Sequence, residues 1–189
     1  EAATGKELWA AALGLADYDG GGDSGADGNE GGDGPRSTPS HAGLHVFALD
    51  AHLGLFCLSA ATGEIVWEHS LVDEYEGKLI SWQSAASPLV EEGRVFVAGG
   101  GEGQSLLAFD AKTGELAWSV LSEKMTHASP IAATLHGVRQ VIFLVQAGLV
   151  AIEPATGKLL WRAEYPYRTS SAASPVVWQD FVYVSAGYG

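Results

Sequence analysis

Short apolar runs separated by glycine-containing turns make up most of the chain. The runs "SPLVEE", "RVFVAG", "LLAFD" and "ELAW" follow one another up to Trp118, and "SPIAATL", "QVIFLVQ", "LVAIE" and "KLLW" repeat the arrangement up to Trp161. Runs of this length, rich in Val, Ile, Leu and Phe, predict antiparallel β-hairpins. No stretch shows a sustained helical period. The sequence therefore predicts an all-β protein built from units of four short strands.

Two landmarks recur in these units. A nine-residue stretch ending in "TGxxxW" occurs at Glu1–Trp9, Ser59–Trp67, Asp110–Trp118 and Glu153–Trp161. A Ser-Pro or Thr-Pro pair precedes the first strand of each unit. Self-similarity at a period of roughly 45 residues indicates a repeat architecture. The landmarks predict the end of one unit at 1–9, full units at about 37–67, 87–118 and 129–161, and the start of another at 174–189.

Each nine-residue copy predicts a hairpin turn followed by an outer strand. Its glycine suits a left-handed backbone in the turn, where a Cβ would clash. The strand after it is apolar on both faces, and the stacked four-stranded sheets of a β-propeller would cover both. We expect the repeated residues to join neighbouring sheets, although stacking of the tryptophans on a cofactor is an alternative. These residues are Gly5, Trp9, Gly63, Trp67, Gly114, Trp118, Gly157 and Trp161.

Charge and composition exclude several classes of partner. The formal net charge is −13, whereas a nucleic-acid-binding surface needs a basic patch. No apolar run reaches the length of a membrane span. Cys57 is the single cysteine, so a CxxC metal or redox site is excluded. Its neighbours are Phe56 and Leu58, and we expect Cys57 to pack as a small buried hydrophobe.

An acidic, glycine-rich segment covers residues 14–34. Its aspartates could wrap a calcium ion with oxygen ligands, but the spacing D-x-D-G-x-x-D lacks the order of an EF-hand and its final glutamate. The composition favours a solvated loop. We expect weak calcium binding there or none.

The repeat resembles that of the PQQ-like, or tryptophan-docking, β-propellers. The resemblance is carried by the pattern D-A-x-T-G-x-x-x-W, preceded by an "SP" strand and an "RVFV" strand. The family includes quinoprotein alcohol dehydrogenases and the non-enzymatic outer-membrane assembly lipoprotein BamB. The stretches "DGPRSTPS", "SWQSAASPLV" and "YRTSSAASPVV" also resemble PQQ-binding-like repeat proteins of environmental bacteria.

This resemblance implies a β-propeller of four-stranded antiparallel blades. The chain would form a partial arc of about four blades, whereas the family typically has seven or eight. The remaining blades would come from the rest of the chain or from another chain. The resemblance also implies a periplasmic, cell-envelope or secreted location.

The resemblance further implies where a ligand would bind. In the family the Ser-Pro strand is the innermost of its blade, so its start lies near the mouth of the central channel. A protein partner or small ligand is expected there, with an ordinary structural role for each side chain as the alternative. The candidates are Arg36, Trp82, Gln83, His127, Tyr167 and Arg168.

The residues give little support to catalysis. By the same resemblance, a quinoprotein dehydrogenase offers adjacent cysteines to the quinone, a Glu/Asn/Asp set to Ca²⁺ and an aspartate base. Cys57 stands alone, and the one asparagine, Asn29, lies in the acidic segment. We therefore expect no catalytic residue, no metal site and no PQQ binding by this chain alone. The sequence favours a non-catalytic binding or scaffold module, with part of a PQQ-dependent oxidoreductase as the alternative.

Overall fold

The computed structural model describes residues 1–14, 36–80, 82–165 and 171–186. Within them lie fourteen strands and one short helix. Twelve strands form three four-stranded sheets, and the last two form a hairpin. Within each sheet, every strand pairs antiparallel with the next strand in the chain. The prediction of an all-β partial propeller is therefore confirmed.

The strand boundaries follow the repeat. Sheet 1 contains β1 (Ser40–Ala42), β2 (His45–Leu49), β3 (Gly54–Ser59) and β4 (Ile65–Ser70), and the helix α1 (Leu71–Tyr75) follows it. Sheet 2 contains β5 (Leu89–Glu91), β6 (Arg94–Ala98), β7 (Leu106–Asp110) and β8 (Leu116–Val120). Sheet 3 contains β9 (Ile131–Leu135), β10 (Val138–Val145), β11 (Gly148–Ile152) and β12 (Leu159–Glu164). The final hairpin consists of β13 (Val176–Trp178) and β14 (Phe181–Tyr183).

The "TG" turn joins the third and fourth strands of each sheet. In sheet 2 the N–H of Gly114 donates to the carbonyl of Asp110 at 2.9 Å, and Gly114 has a φ of +77°. The Asp110 carboxylate accepts the N–H groups of Thr113 and Lys112 at 2.8 and 2.9 Å. These bonds favour the charged carboxylate and lower the pKa of Asp110. The aspartate thus closes the turn with its side chain as well as its backbone.

The middle strands of each sheet are buried on both faces. In β6, Val95 and Val97 pack towards sheet 1, while Phe96 packs towards sheet 3. Alternate side chains of a strand point to opposite faces, so every second residue faces a different neighbouring sheet. The core of the arc therefore lies between the sheets, as three clusters of buried apolar side chains.

The up-and-down order of the strands gives the arc two faces. One face carries the segments before β5 and β9 and the loop between β6 and β7; we call it the loop face. The opposite end of the sheets carries the "TG" turns; we call it the turn face. Helix α1 lies on the loop face, with Ser70 capping the N–H of Asp73 at 3.2 Å. It spans five residues, and no described helix is long and apolar enough to cross a membrane.

The first repeat differs from its expected form. Residues 1–9 form the turn, with the N–H of Gly5 donating to the Glu1 carbonyl at 2.8 Å, but no strand follows it. A strand needs a neighbour that accepts its backbone hydrogen bonds, and no strand among the described residues lies beside this segment. Trp9 nonetheless contacts sheet 1, because its indole N–H donates to the Ala60 carbonyl at 3.0 Å.

Candidate functional site

Three of the four repeated tryptophans cover the repeated glycine of the following sheet. A Cβ built on Gly114 would lie 2.8 Å from the Trp67 ring, far closer than real side chains approach. The indole N–H of Trp67 donates to the Ala111 carbonyl at 3.2 Å. Trp9 relates in the same way to Gly63, and Trp118 to Gly157. The glycine is required here by close approach as well as by its positive φ.

The fourth tryptophan has a different partner. The indole N–H of Trp161 donates to the side-chain oxygen of Gln140 at 2.5 Å, within its own sheet. At the other end of the series, a Cβ on Gly5 would meet nothing within 4 Å. The contacts of Trp67 and Trp118 are thus inter-sheet contacts, whereas Trp9 joins the N-terminal segment to sheet 1, and all three indoles donate to backbone carbonyls.

A row of hydrogen bonds links the starts of the innermost strands. The N–H of Thr38 donates to the Ser87 hydroxyl at 2.8 Å. The N–H of Ser87 donates to the Ser129 hydroxyl at 2.8 Å, and that of Ser129 donates to Ser174 at 3.2 Å. Because each bond crosses to the next sheet, the serine of the "SP" landmark ties the inner edge of the arc together. A repeated serine before proline was the sequence signal of this role.

Four of the predicted site residues lie together on the loop face. Arg36 donates from Nη1 to the Trp82 carbonyl at 2.9 Å. The rings of Trp82 and His127 lie 6.3 Å apart, centre to centre. His127 donates its N–H to the Ser171 carbonyl at 3.0 Å. We call Arg36, Trp82, Gln83 and His127 the mouth cluster. It brings one cation, one exposed indole and one imidazole to the start of three neighbouring inner strands.

The backbone of the mouth cluster is strained. Trp82 and Gln83 both have left-handed conformations, with φ of +66° and +61°. Such a conformation costs a residue with a Cβ about 1–2 kcal/mol, and two in succession are uncommon outside glycine-rich turns. Trp82 is 41% exposed, so burial of its ring does not offset the cost fully. Strain of this kind is concentrated at functional sites.

Two oxygen atoms beside this strained pair are buried without a hydrogen bond. They are Oε1 of Gln83 and Oγ of Ser84, and neither has a partner among the described residues. Ser84 is 1% exposed. At the equivalent positions of the next two units, Thr126 donates to the Leu144 carbonyl at 2.7 Å and Ser171 to the Ser185 carbonyl at 3.1 Å. Among the described units that carry this hydroxyl, the unit of sheet 2 alone lacks the hydrogen bond to a backbone carbonyl.

A cleft of about 530 Å³ lies on the same face. Its walls come from the segment after α1, the β6–β7 loop and the segment after β8. The first and last of these segments continue into Trp82 and His127, so the cleft and the mouth cluster belong to the same two loops. The lining residues are Lys78, Leu79, Ile80, Gly100, Gly101, Glu102, Ser122, Glu123, Lys124 and Met125.

The remaining site predictions lie outside the described residues. These are Tyr167, Arg168 and the acidic segment within residues 14–34, of which only Gly14 is described. The sequence also missed several residues of this face. Lys78 and Ser84 carried no motif, although the hydroxyl shared by Ser84, Thr126 and Ser171 at the fourth position before the "SP" proline was a readable signal.

The described residues do not fit a calcium–quinone site. No three His, Cys, Asp or Glu side chains among them converge as metal ligands. Cys57 is fully buried between sheets 1 and 2, and burial raises the pKa of its thiol to about 11, so it presents neither a sulfur surface nor a thiolate. Arg36 is directed to a backbone carbonyl. We therefore derive no step through PQQ.

Comparisons with known proteins point to one family. The curated tetrathionate hydrolase of Acidithiobacillus ferrooxidans is 25% identical over 205 residues, which cover 98% of this chain and 36% of that protein. The chain thus spans little more than a third of this curated relative.

Solved structures share the fold. BamB from Moraxella catarrhalis superposes with a TM-score of 0.54 at 22% identity, covering 75% of this chain and 39% of that one. The quinohemoprotein alcohol dehydrogenase of Comamonas testosteroni gives a TM-score of 0.55 at 19% identity, covering 70% and 27%. At these identities the likeness establishes the propeller fold alone. The family model described as outer membrane protein assembly factor BamB matches residues 1–189, and the chain belongs to that family.

Proposed function

We propose that this chain is part of a non-catalytic β-propeller that binds a partner through its loop face, as a binding or scaffold module of the bacterial cell envelope. The observation that carries the proposal is the mouth cluster. There, two successive left-handed residues, Trp82 and Gln83, stand beside two buried oxygens that have no hydrogen-bond partner among the described residues. Relaxing this loop would stabilise the fold unless the loop has a function that needs its conformation. Strained backbone and unpaired buried polar groups that persist in a protein are typical of binding sites.

The chemistry of the cluster suits recognition better than catalysis. Trp82 offers a large, half-exposed indole, and aromatic side chains together with arginine are enriched in protein interfaces. Oε1 of Gln83 is an acceptor, so a partner that reaches it must bring a donor. The envelope location is supported by membership of the BamB-like family.

Site-specific crosslinking tests the proposal. A photoreactive amino acid is placed at position 82 and, as a control, at position 112 on the turn face, and each protein is irradiated in a bacterial envelope extract. We expect one crosslinked partner from position 82 that unlabelled protein competes away. The identified partner is then purified, and Trp82→Ala is expected to weaken its binding at least tenfold, while Lys112→Ala leaves it unchanged. Equal capture from both positions would remove the basis of the proposal.

The oxidoreductase alternative has its own readout. The purified chain is mixed with PQQ and Ca²⁺, and the quinone absorbance and dye-linked alcohol oxidation are followed. We expect neither a shifted absorbance nor turnover. Oxidation that disappears in Trp82→Ala would replace the proposed function with the enzymatic one.

A further inference from the structure

The cleft beside the mouth cluster has the size and wall chemistry of a binding site. Its volume of about 530 Å³ falls within the range usual for ligand pockets. Its floor is apolar, because Met125 is buried against the core between sheets 1 and 2 and Ile80 packs on the same core. Leu79 adds an exposed apolar side chain at the rim. An apolar group would be covered here on several sides.

Two lysines and two glutamates line the cleft. Lys78 and Lys124 stand on different walls, in a chain whose net charge is −13. Neither lysine forms an ion pair or side-chain hydrogen bond with a described residue; the described ion pairs lie elsewhere. Of the two acidic residues in the lining, Glu123 is compensated by Arg162, whose Nη1 lies 2.5 Å from Oε1. Two lysines therefore line the cleft, and Glu102 is the one acidic lining residue without an ion pair among the described residues.

The walls are held by hydrogen bonds within the fold. Gly101 donates its N–H to the Tyr75 carbonyl at 2.7 Å, which fixes the β6–β7 loop to α1. Glu123 donates its N–H to the Ser105 hydroxyl at 2.8 Å, and the Lys124 carbonyl accepts the N–H of Gln146 at 3.0 Å. A cleft that is already formed costs little ordering when a partner binds.

From this arrangement we infer that the cleft receives a carboxylate side chain and an adjacent large apolar side chain from a protein partner. The inference rests on the proposed function, because the cleft belongs to the same two loops as the mouth cluster. Lysine binds an anion as a point charge, and the cleft has no arginine in its lining, so its attraction for an anion does not depend on a bidentate geometry. Glu102 also opposes a doubly charged group more than a singly charged one. The charge complementarity thus fits one carboxylate.

A peptide titration tests the inference. The probe is a blocked, fluorescently labelled pentapeptide in which aspartate stands between phenylalanine and leucine, and its match has asparagine instead. Anisotropy is measured at low salt. We expect the aspartate peptide to bind at least tenfold more tightly than the asparagine peptide. The preference should disappear in the double variant Lys78→Glu, Lys124→Glu.

Matched controls keep the test specific. The double variant Lys112→Glu, Lys158→Glu makes the same charge change in the "TG" turns of the turn face and is expected to retain the preference. If the charge reversal in the cleft prevents folding, as judged by circular dichroism, Lys78→Gln with Lys124→Gln replaces it. Equal affinity for both peptides, or a preference that survives loss of both cleft lysines, overturns the inference. Capture of a partner at position 82 would still stand in that case, and the proposed function with it.

Discussion

Trp118 lies directly over Gly157, so that a Cβ placed on the glycine would come within 2.8 Å of the indole. The same indole donates its N–H to the Pro154 carbonyl at 2.9 Å. One turn of sheet 3 is thereby joined to the outer strand of sheet 2 by packing and by a hydrogen bond. A turn glycine can be required for two reasons, the close approach of a tryptophan and the left-handed backbone, and substitutions at this position distinguish them.

We expect Gly157→Ala to destabilise the fold more than Gly137→Ala does. Both glycines have similar left-handed φ values, +76° and +79°, so each substitution carries about 1–2 kcal/mol of backbone strain. Only at Gly157 does the new methyl group also meet Trp118, whereas a Cβ on Gly137 meets nothing within 4 Å. We expect a total of roughly 3 kcal/mol or more at Gly157, because overpacking adds to the strain. Urea unfolding followed by tryptophan fluorescence measures both, and equal losses would contradict the close-approach argument.

Removing an inter-sheet tryptophan gives the complementary prediction. Trp118 is 8% exposed and packs with Phe96 at a ring distance of 5.7 Å. Trp118→Ala is expected to cost about 3–5 kcal/mol, since it leaves a cavity and an unpaired Pro154 carbonyl. Trp178 is 60% exposed, and Trp178→Ala is expected to cost less than about 1 kcal/mol. A small loss for Trp118→Ala would mean that the sheets are held together by their middle strands alone.

The equivalent hydroxyls of Ser84 and Ser171 should respond in opposite ways to alanine. The Ser171 hydroxyl donates to Ser185, so Ser171→Ala removes a hydrogen bond and is expected to cost about 1 kcal/mol. The buried hydroxyl of Ser84 has no partner among the described residues, so its burial costs hydration that no hydrogen bond replaces. Ser84→Ala removes this cost and is expected to be neutral or stabilising. Denaturant midpoints of the two variants decide this, and a clear loss in Ser84→Ala would show that the hydroxyl is hydrogen-bonded in solution.

The sequence was informative where local chemistry decides the structure. The "TG" turn needs a left-handed glycine and an acceptor side chain, and both were legible in the repeat at Asp110–Gly114. The outer strand after the "TG" turn, predicted to be covered on both faces, leaves Ile65 and Val66 of β4 nearly half exposed. The "RVFV" run predicted a strand, and β6 forms there with its middle residues buried. These features repeat because every sheet meets the same kind of neighbour.

The candidate site could be predicted less completely from the sequence, because it depends on residues that differ from the repeat. Arg36, Trp82 and His127 stood out as unusual residues at matching loop positions, but nothing in the sequence indicated that Trp82 and Gln83 adopt left-handed conformations. The pairing of Glu123 with Arg162, which compensates one of the two acidic residues in the cleft, joins a loop to an outer strand. Contacts of this kind follow from the stacking of sheets and produce no repeating pattern in the sequence.

The buried thiol of Cys57 gives a prediction about pH. Burial between sheets 1 and 2 raises its pKa from 9.0 to about 11, because desolvation disfavours the thiolate. The folded state therefore holds this proton more tightly than the unfolded state. Its contribution to stability is complete below about pH 9 and is lost as the pH rises through about 11.

Two measurements on Cys57 follow from the raised pKa of its thiol in the folded state. The urea midpoint of the wild-type protein should fall between pH 9 and pH 11, and Cys57→Ala should show a shallower fall over the same range. The pKa of Tyr75 is also raised by burial, so ionisation of Tyr75 adds to the loss of stability at alkaline pH. The wild-type and Cys57→Ala proteins are therefore compared in a Tyr75→Phe background. At pH 8 the native thiol should react with an aromatic disulfide reagent only at the rate of unfolding, because thiolate is the nucleophile. Rapid modification of the native protein at pH 8 would show that the interface between sheets 1 and 2 opens readily in solution.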